Sequence, residues 1–148
     1  MNLNEAGKSL IKSFEGCKLN AYQCSAGHWT VGFGNIFYED GTKVKQGDKI
    51  TQERANELFE IIAKDFSDKV RPLIKKDLTE NNFSALVSFA YNVGVGNLKN
   101  STLLKKVNTN PSDETIRAEF MKWVRAGGKE LAGLKRRRKA EADLYFKS

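Results

Sequence analysis

The period of the apolar residues changes twice along this chain, and that alternation limits the folds open to it more than any other feature. Over residues 3–14, Leu3, Ala6, Leu10, Ile11 and Phe14 recur at helical spacing, with Asn4 placed to cap the start and Gly16 to stop the run. Over residues 19–50 the period falls to two, and Trp29, Val31 and Phe33 alternate with Thr30, Gly32 and Gly34. Turn signals at Ser25-Ala26-Gly27 and Glu39-Asp40-Gly41 then predict a small antiparallel sheet of two or three strands. From Thr51 onward the helical period returns and holds to the C-terminus.

Thr51 reads as the N-cap of a long helix with Ala55, Leu58, Phe59, Ile62, Phe66 and Val70 on one face, interrupted at Pro72. A second run starts near Thr79, carries Phe83, Leu86, Val87, Ala90 and Val93, and gives way at Gly94-Val95-Gly96. A short helix capped by Ser101 follows and ends at Asn108-Thr109-Asn110-Pro111. The next run, opened by Pro111 or Ser112, carries Ile116, Phe120, Trp123 and Val124 as far as Gly127-Gly128, and a last helix spans about Leu134 to Phe146. Helix, small sheet, then helices is an α+β pattern dominated by helix. It predicts a β lobe at about residues 15–50, a long connecting helix, and a helical lobe at about residues 70–148 that the N-terminal helix joins. A chain of 148 residues is long enough for one such domain, and no repeat, low-complexity tract or linker marks off a second module. A cleft between the lobes is the expected place for a site.

Charge narrows the partners. The 25 Lys+Arg against 18 Asp+Glu give +7, which favours an anionic polymer: nucleic acid, a membrane surface or a bacterial wall. The densest charge, Lys135-Arg136-Arg137-Arg138-Lys139, is flanked by Leu134, Glu141 and Leu144, so it reads as one turn of an amphipathic helix, solvated or paired with Glu141 or Asp143. Nucleic acid is therefore not an expected partner. No apolar run approaches the roughly 20 residues that span a bilayer, and the first residues lack the regions of a signal peptide, so neither stable membrane insertion nor self-export is expected. The two cysteines, Cys17 and Cys24, lie close together rather than spread as a disulfide framework, which suits a reducing compartment. One histidine and two cysteines fall short of a metal set, and no cofactor motif is present.

Chemistry concentrates between residues 13 and 34. Glu15 closes the first helix; a carboxyl partly out of water there would favour the neutral form that a general acid needs. Cys24 falls at a strand tip or turn, and Thr30 on the non-core face of Trp29-Thr30-Val31. Three polar groups from three local elements can converge, although a helix-end Glu and a strand Thr are also ordinary surface choices. Cys17 reads as packing, or as a disulfide partner of Cys24 under redox control. His28 has no Ser or Asp partner that would make it catalytic.

Glu15, then Cys24, then Thr30, followed by Val31-Gly32-Phe33-Gly34, resembles the active stretch of phage-type lysozymes, the endolysins of glycoside hydrolase family 24. The stretch Ser88-Phe89-Ala90-Tyr91-Asn92-Val93-Gly94-Val95-Gly96 before Ser101-Thr102-Leu103-Leu104 is similar to a later signature of that family. So is Trp123-Val124-Arg125-Ala126-Gly127-Gly128 before Gly133-Leu134-Lys135-Arg136-Arg137-Arg138. Together the three cover nearly the whole chain in order.

The resemblance implies a lysozyme-like two-lobed fold, a monomer, and hydrolysis of the β-1,4 bond between N-acetylmuramic acid and N-acetylglucosamine in bacterial peptidoglycan. It implies that Glu15 is the general acid and that Thr30 holds the attacking water. Cys24 stands where the commoner pattern has Asp; as a thiolate it would act as base or transient nucleophile, and as a thiol it would leave the work to Glu15 and the water. Ile36, Tyr91 and Ser101 align with sugar-contacting positions, with core packing the rival account of Ile36 and helix capping that of Ser101. Asn35 replaces a common His. The implied setting is accumulation in the host cytoplasm and access to the wall once the membrane is permeabilised. Two rivals remain: a lytic transglycosylase using Glu15 alone, and a non-catalytic cationic module that binds wall or membrane.

Overall fold

A computed structural model of residues 1–148 shows a mostly helical chain with a small antiparallel sheet near its N-terminus. Helix α1 spans Glu5–Glu15. Asn4 Oδ1 accepts from the Gly7 N–H at 3.0 Å, the expected cap, and Gly16 ends the helix by taking φ +66° while its N–H reaches the Lys12 carbonyl at 2.9 Å. Gly7 is fixed by crowding: a Cβ there would lie 2.7 Å from both Leu3 Cδ1 and Ser84 Cβ.

The chain forms two compact units, and Lys12–Asp65 is one of them. Strands β1 (Lys18–Gln23) and β2 (Trp29–Gly32) pair antiparallel, with Tyr22 opposite Thr30 and an irregularity between Lys18 and Tyr22. Single bridges, Asn20 to Lys49, Val31 to Asn35 and Phe37 to Lys43, extend the sheet without adding a strand. Val31, Val44 and Leu58 form its buried centre, with Trp29, Tyr38, Ile50 and Ile62 packed against them. The alternation in β2 thus sends Trp29 and Val31 inward and Thr30 to the other face. Helix α2 (Gln52–Val70) begins at Thr51, whose Oγ1 accepts from the Arg54 N–H at 3.0 Å.

Met1–Ile11 and Phe66–Ser148 make the other unit. A 3-10 turn at Arg71–Leu73 contains Pro72, and helix α3 (Glu80–Val93) opens with a capping box between Thr79 and Asn82. Every residue from Phe83 to Ala90 is buried, so α3 is the helix around which this unit packs. Its two buried serines are satisfied: Ser84 Oγ accepts from the Asn4 N–H at 3.0 Å, and Ser88 Oγ donates to Glu141 Oε2 at 2.6 Å. Helices α4 (Val95–Lys99), α5 (Thr102–Thr109) and α6 (Ile116–Phe120) follow, then a small hairpin of β3 (Arg125–Ala126) and β4 (Lys129–Glu130), and α7 (Ala132–Tyr145).

Two features depart from the sequence reading, and a third extends it. Gly94, at φ +97°, breaks the helix for only one residue before α4 begins. Trp123 and Val124 lie beyond α6, which stops at Phe120, and Gly127-Gly128 is the turn of the β3–β4 hairpin, both glycines at positive φ. The basic run makes the expected pairs with Glu141 and Asp143, and two of its arginines are also buried. Arg137 and Arg138 are buried and share Glu141, itself buried, while Lys135 pairs with Glu130 at 2.8 Å and Lys139 with Asp143 at 3.0 Å. Arg138 also donates to the Trp123 carbonyl at 2.9 Å and to Asn92 Oδ1, which ties α7 to α3 and to the segment after α6.

Candidate active site

Glu15 owes its position to two local devices. As the last residue of α1 it is half-buried, and its carboxyl lies over the backbone of Gly34, where a Cβ would come within 3.1 Å of Glu15 Cδ and nearer still to Oε1. Gly34 also holds φ +77°, a second reason for glycine there. One helical turn earlier, the Lys12 ammonium stands 5.3 Å from the Phe33 ring centroid and 4.8 Å from that of Phe59, and the two rings meet edge to face at 5.4 Å. The end of α1 is therefore pinned to the Gly32-Phe33-Gly34 segment. Phe14, its sequence neighbour, is 37% exposed.

Cys24 follows β1 directly and opens the turn to β2. Its N–H donates to the His28 carbonyl at 2.9 Å, and its own carbonyl accepts from the Gly27 N–H at 2.8 Å. Partial burial pushes the thiol up, but the backbone N–H groups of His28 and Ala26 and the Thr30 hydroxyl outweigh it, so the net shift is downward. The sulfur is thus more readily a thiolate than an ordinary cysteine. Thr30 is buried, and its hydroxyl donates to the His28 carbonyl at 3.0 Å. That hydroxyl reaches two acceptors. With a neutral thiol it donates to the carbonyl and can accept from S–H; with a thiolate, rotation about one bond turns its proton to sulfur.

The fourth member of the group had no part in the sequence reading. Tyr22 pairs with Thr30 across the hairpin, and Cys24 lies two residues further along the same strand direction, so the three side chains share one face. Burial first, then the charges of Glu15 and Cys24, push the Tyr22 phenol up. It therefore stands within the fields of both acids. The period-2 pattern held the signal, since Tyr22 and Cys24 have the same parity.

The remaining candidates divide. Ile36 is half-buried and lines a shallow pocket of about 190 Å³ with His28, Trp29, Phe37 and Lys43, which leaves its side chain accessible. Tyr91 and Ser101 belong to the other unit. The Tyr91 ring lies 5.1 Å from that of Phe66. Ser101 is buried; its hydroxyl donates to the Leu98 carbonyl at 2.7 Å and accepts from the Leu104 N–H at 3.0 Å, so helix capping accounts for it. Cys17 is a free thiol 3.6 Å from Gln52 Nε2. The six residues of β1 separate it from Cys24 by roughly 20 Å of extended chain. A disulfide needs Cα atoms about 4.4–6.8 Å apart, so a Cys17–Cys24 bridge is incompatible with an intact β1. No three His, Cys, Asp or Glu side chains come together in a way that would hold a metal ion.

An acid on a helix end, a thiol with a lowered pKa and a hydroxyl beside it can deliver a proton, orient a water and accept that water's proton. The sequence pattern of the phage lysozyme family matches residues 12–141. The chain is 42% identical over 148 residues to the endolysin of Bacillus phage B103, covering 99% of this chain and 54% of that relative. It spans about half the length of that relative and of the Bacillus phage PZA endolysin, of which it covers 55%. It is 40% identical to the endolysin of Acyrthosiphon pisum secondary endosymbiont phage 1, covering 98% of each chain. Its structure is similar to that of the endolysin from Escherichia coli O157:H7 phage FAHEc1, with a TM-score of 0.88 at 39% identity, covering 99% of this chain and 94% of the other.

Proposed function

This chain belongs to the phage lysozyme family, and from that premise we propose that it is an endolysin acting as a muramidase on bacterial peptidoglycan. The bond cleaved is the β-1,4 link from N-acetylmuramic acid to N-acetylglucosamine, and its cleavage lyses the host cell. Glu15 in its acid form gives a proton to the glycosidic oxygen as the C1–O bond breaks. A water oriented by Thr30 attacks C1 from the opposite face, and its proton passes to the Cys24 thiolate, so the anomeric centre inverts. Glu15 regains a proton from solvent and Cys24 returns one. Ile36 and Tyr91 are the proposed sugar contacts.

The observation that carries this reading is the pairing of a lowered Cys24 thiol with the Thr30 hydroxyl on the hairpin face where Tyr22 feels the charges of both Glu15 and Cys24. In a transglycosylase Glu15, once it has given up its proton, takes the one from the C6 hydroxyl, which leaves no use for a second base or a water. The test is mass spectrometry of digested peptidoglycan, run with Glu15→Gln alongside the parent. The expected result is reducing muramic ends from the parent and at least a hundredfold less product from the folded Glu15→Gln variant. Anhydro ends, one water lighter, would overturn hydrolysis, and full lysis by Glu15→Gln would overturn the acid assignment.

A further inference from the structure

Tyr22 is an exposed aromatic that neither core uses. It is 37% exposed, while its neighbour Ala21 packs inward against the Val31, Val44 and Leu58 cluster. A tyrosine commonly buries its ring and leaves only the hydroxyl wet, but here the residue as a whole stays open. Its place is specific. Cross-strand pairing sets it opposite Thr30, and strand alternation aligns it with Cys24.

We propose that Tyr22 is a substrate-positioning residue, its ring walling the saccharide subsite beside Thr30 and its hydroxyl donating a hydrogen bond to the sugar bound there. The inference rests on the muramidase reading and adds a contact to it. A phenol is already a donor at neutral pH, with an ordinary pKa of about 10, and burial and the neighbouring acids push this one further up. A tyrosine present only for sheet packing would use its ring against Thr30 and have no need of the hydroxyl.

Tyr22→Phe keeps the ring and the fold and removes the donor. It is measured in two ways: kcat/KM for release of reducing ends from purified peptidoglycan, and, in the Glu15→Gln background, affinity for tetra-N-acetylchitotetraose by calorimetry. The expected result is a three- to tenfold loss in both, with an unchanged melting temperature, the size expected for one hydrogen bond. Tyr22→Ala is expected to lose more of both. Equal affinity and equal kcat/KM for Tyr22→Phe and its parent would overturn the proposal, as would a loss that follows only a drop in melting temperature. A parent that releases no saccharide ends at all would instead sink the muramidase reading, and this inference with it.

Discussion

At Gly34 the chain has no Cβ because the Glu15 carboxyl occupies that volume, and at φ +77° a side chain would also cost roughly 1–2 kcal/mol. Gly34→Ala is therefore expected to lower the melting temperature by several degrees and kcat by at least tenfold, checked by thermal unfolding and reducing-end release. Unchanged kcat would show that this backbone approach does not set the acid's position. Cys24 gives a pH signature. Its folded-state pKa is lowered, so thiolate absorbance is expected to appear at lower pH in the folded enzyme than in urea. The shift adds stability that is complete above the ordinary thiol pKa and is lost as pH falls through the lowered one. As the base, Cys24 should also impose a rising limb on activity along that titration. Cys24→Ser is expected to remove the limb and cut kcat roughly a hundredfold; a limb that survives the change would assign the base elsewhere.

Among the elements, caps and alternation were readable before the structure and short segments were not. Asn4, Thr51 and Ser101 each cap the helix expected of them, because a side-chain oxygen before an apolar run satisfies orphan N–H groups locally. Ser101 remains the clearest case in which one residue carried two readings. Ser101→Ala is expected to cost about 1 kcal/mol of stability with KM unchanged, measured by denaturant unfolding and steady-state kinetics. A raised KM at undiminished stability would restore the sugar contact. The β3–β4 hairpin was missed because two residues per strand carry no period, and the apolar spacing of Ile116, Phe120, Trp123 and Val124 imitates one helix. In the structure the chain leaves the helix after Phe120, and the Trp123 carbonyl becomes an acceptor for buried Arg138.

For the molecule as a whole, buried and paired charges set where stability is lost. Hydrogen bonding by Lys122, joined by Lys106 and opposed by burial, holds Glu119 below the usual carboxylate range, and Lys139 with Arg117 does the same for Asp143. Groups lowered on folding stabilise above their unfolded pKa values and lose that contribution as pH falls through the folded ones. The melting temperature is therefore expected to fall as pH drops from about 5 towards 2, and less steeply in Glu119→Gln. A parallel fall in both proteins would remove Glu119 from the account. Arg138→Met is expected to be more severe, roughly 3–5 kcal/mol by denaturant unfolding, because it leaves the buried Glu141 carboxylate one partner short. A loss below 1 kcal/mol would mean that Arg137 and Ser88 satisfy Glu141 without it.

The sequence alone determined the order of elements, most helix ends and the small sheet, and it singled out Glu15, Cys24 and Thr30 as candidates. These depend on local rules: apolar period, capping oxygens, glycines that permit positive φ, and a motif contained in twenty residues. What the opening change of period left undecided needed tertiary structure, because it depends on contacts between residues distant in sequence. Gly34 was visible as half of a Gly-Phe-Gly run, but only the approach of Glu15 across nineteen positions explains its missing side chain. Tyr22 was one aromatic among many until strand register placed it beside Thr30 and Cys24. Arg137 and Arg138 were readable as partners of Glu141, but only their burial, with Ser88 across the unit, showed them to be core.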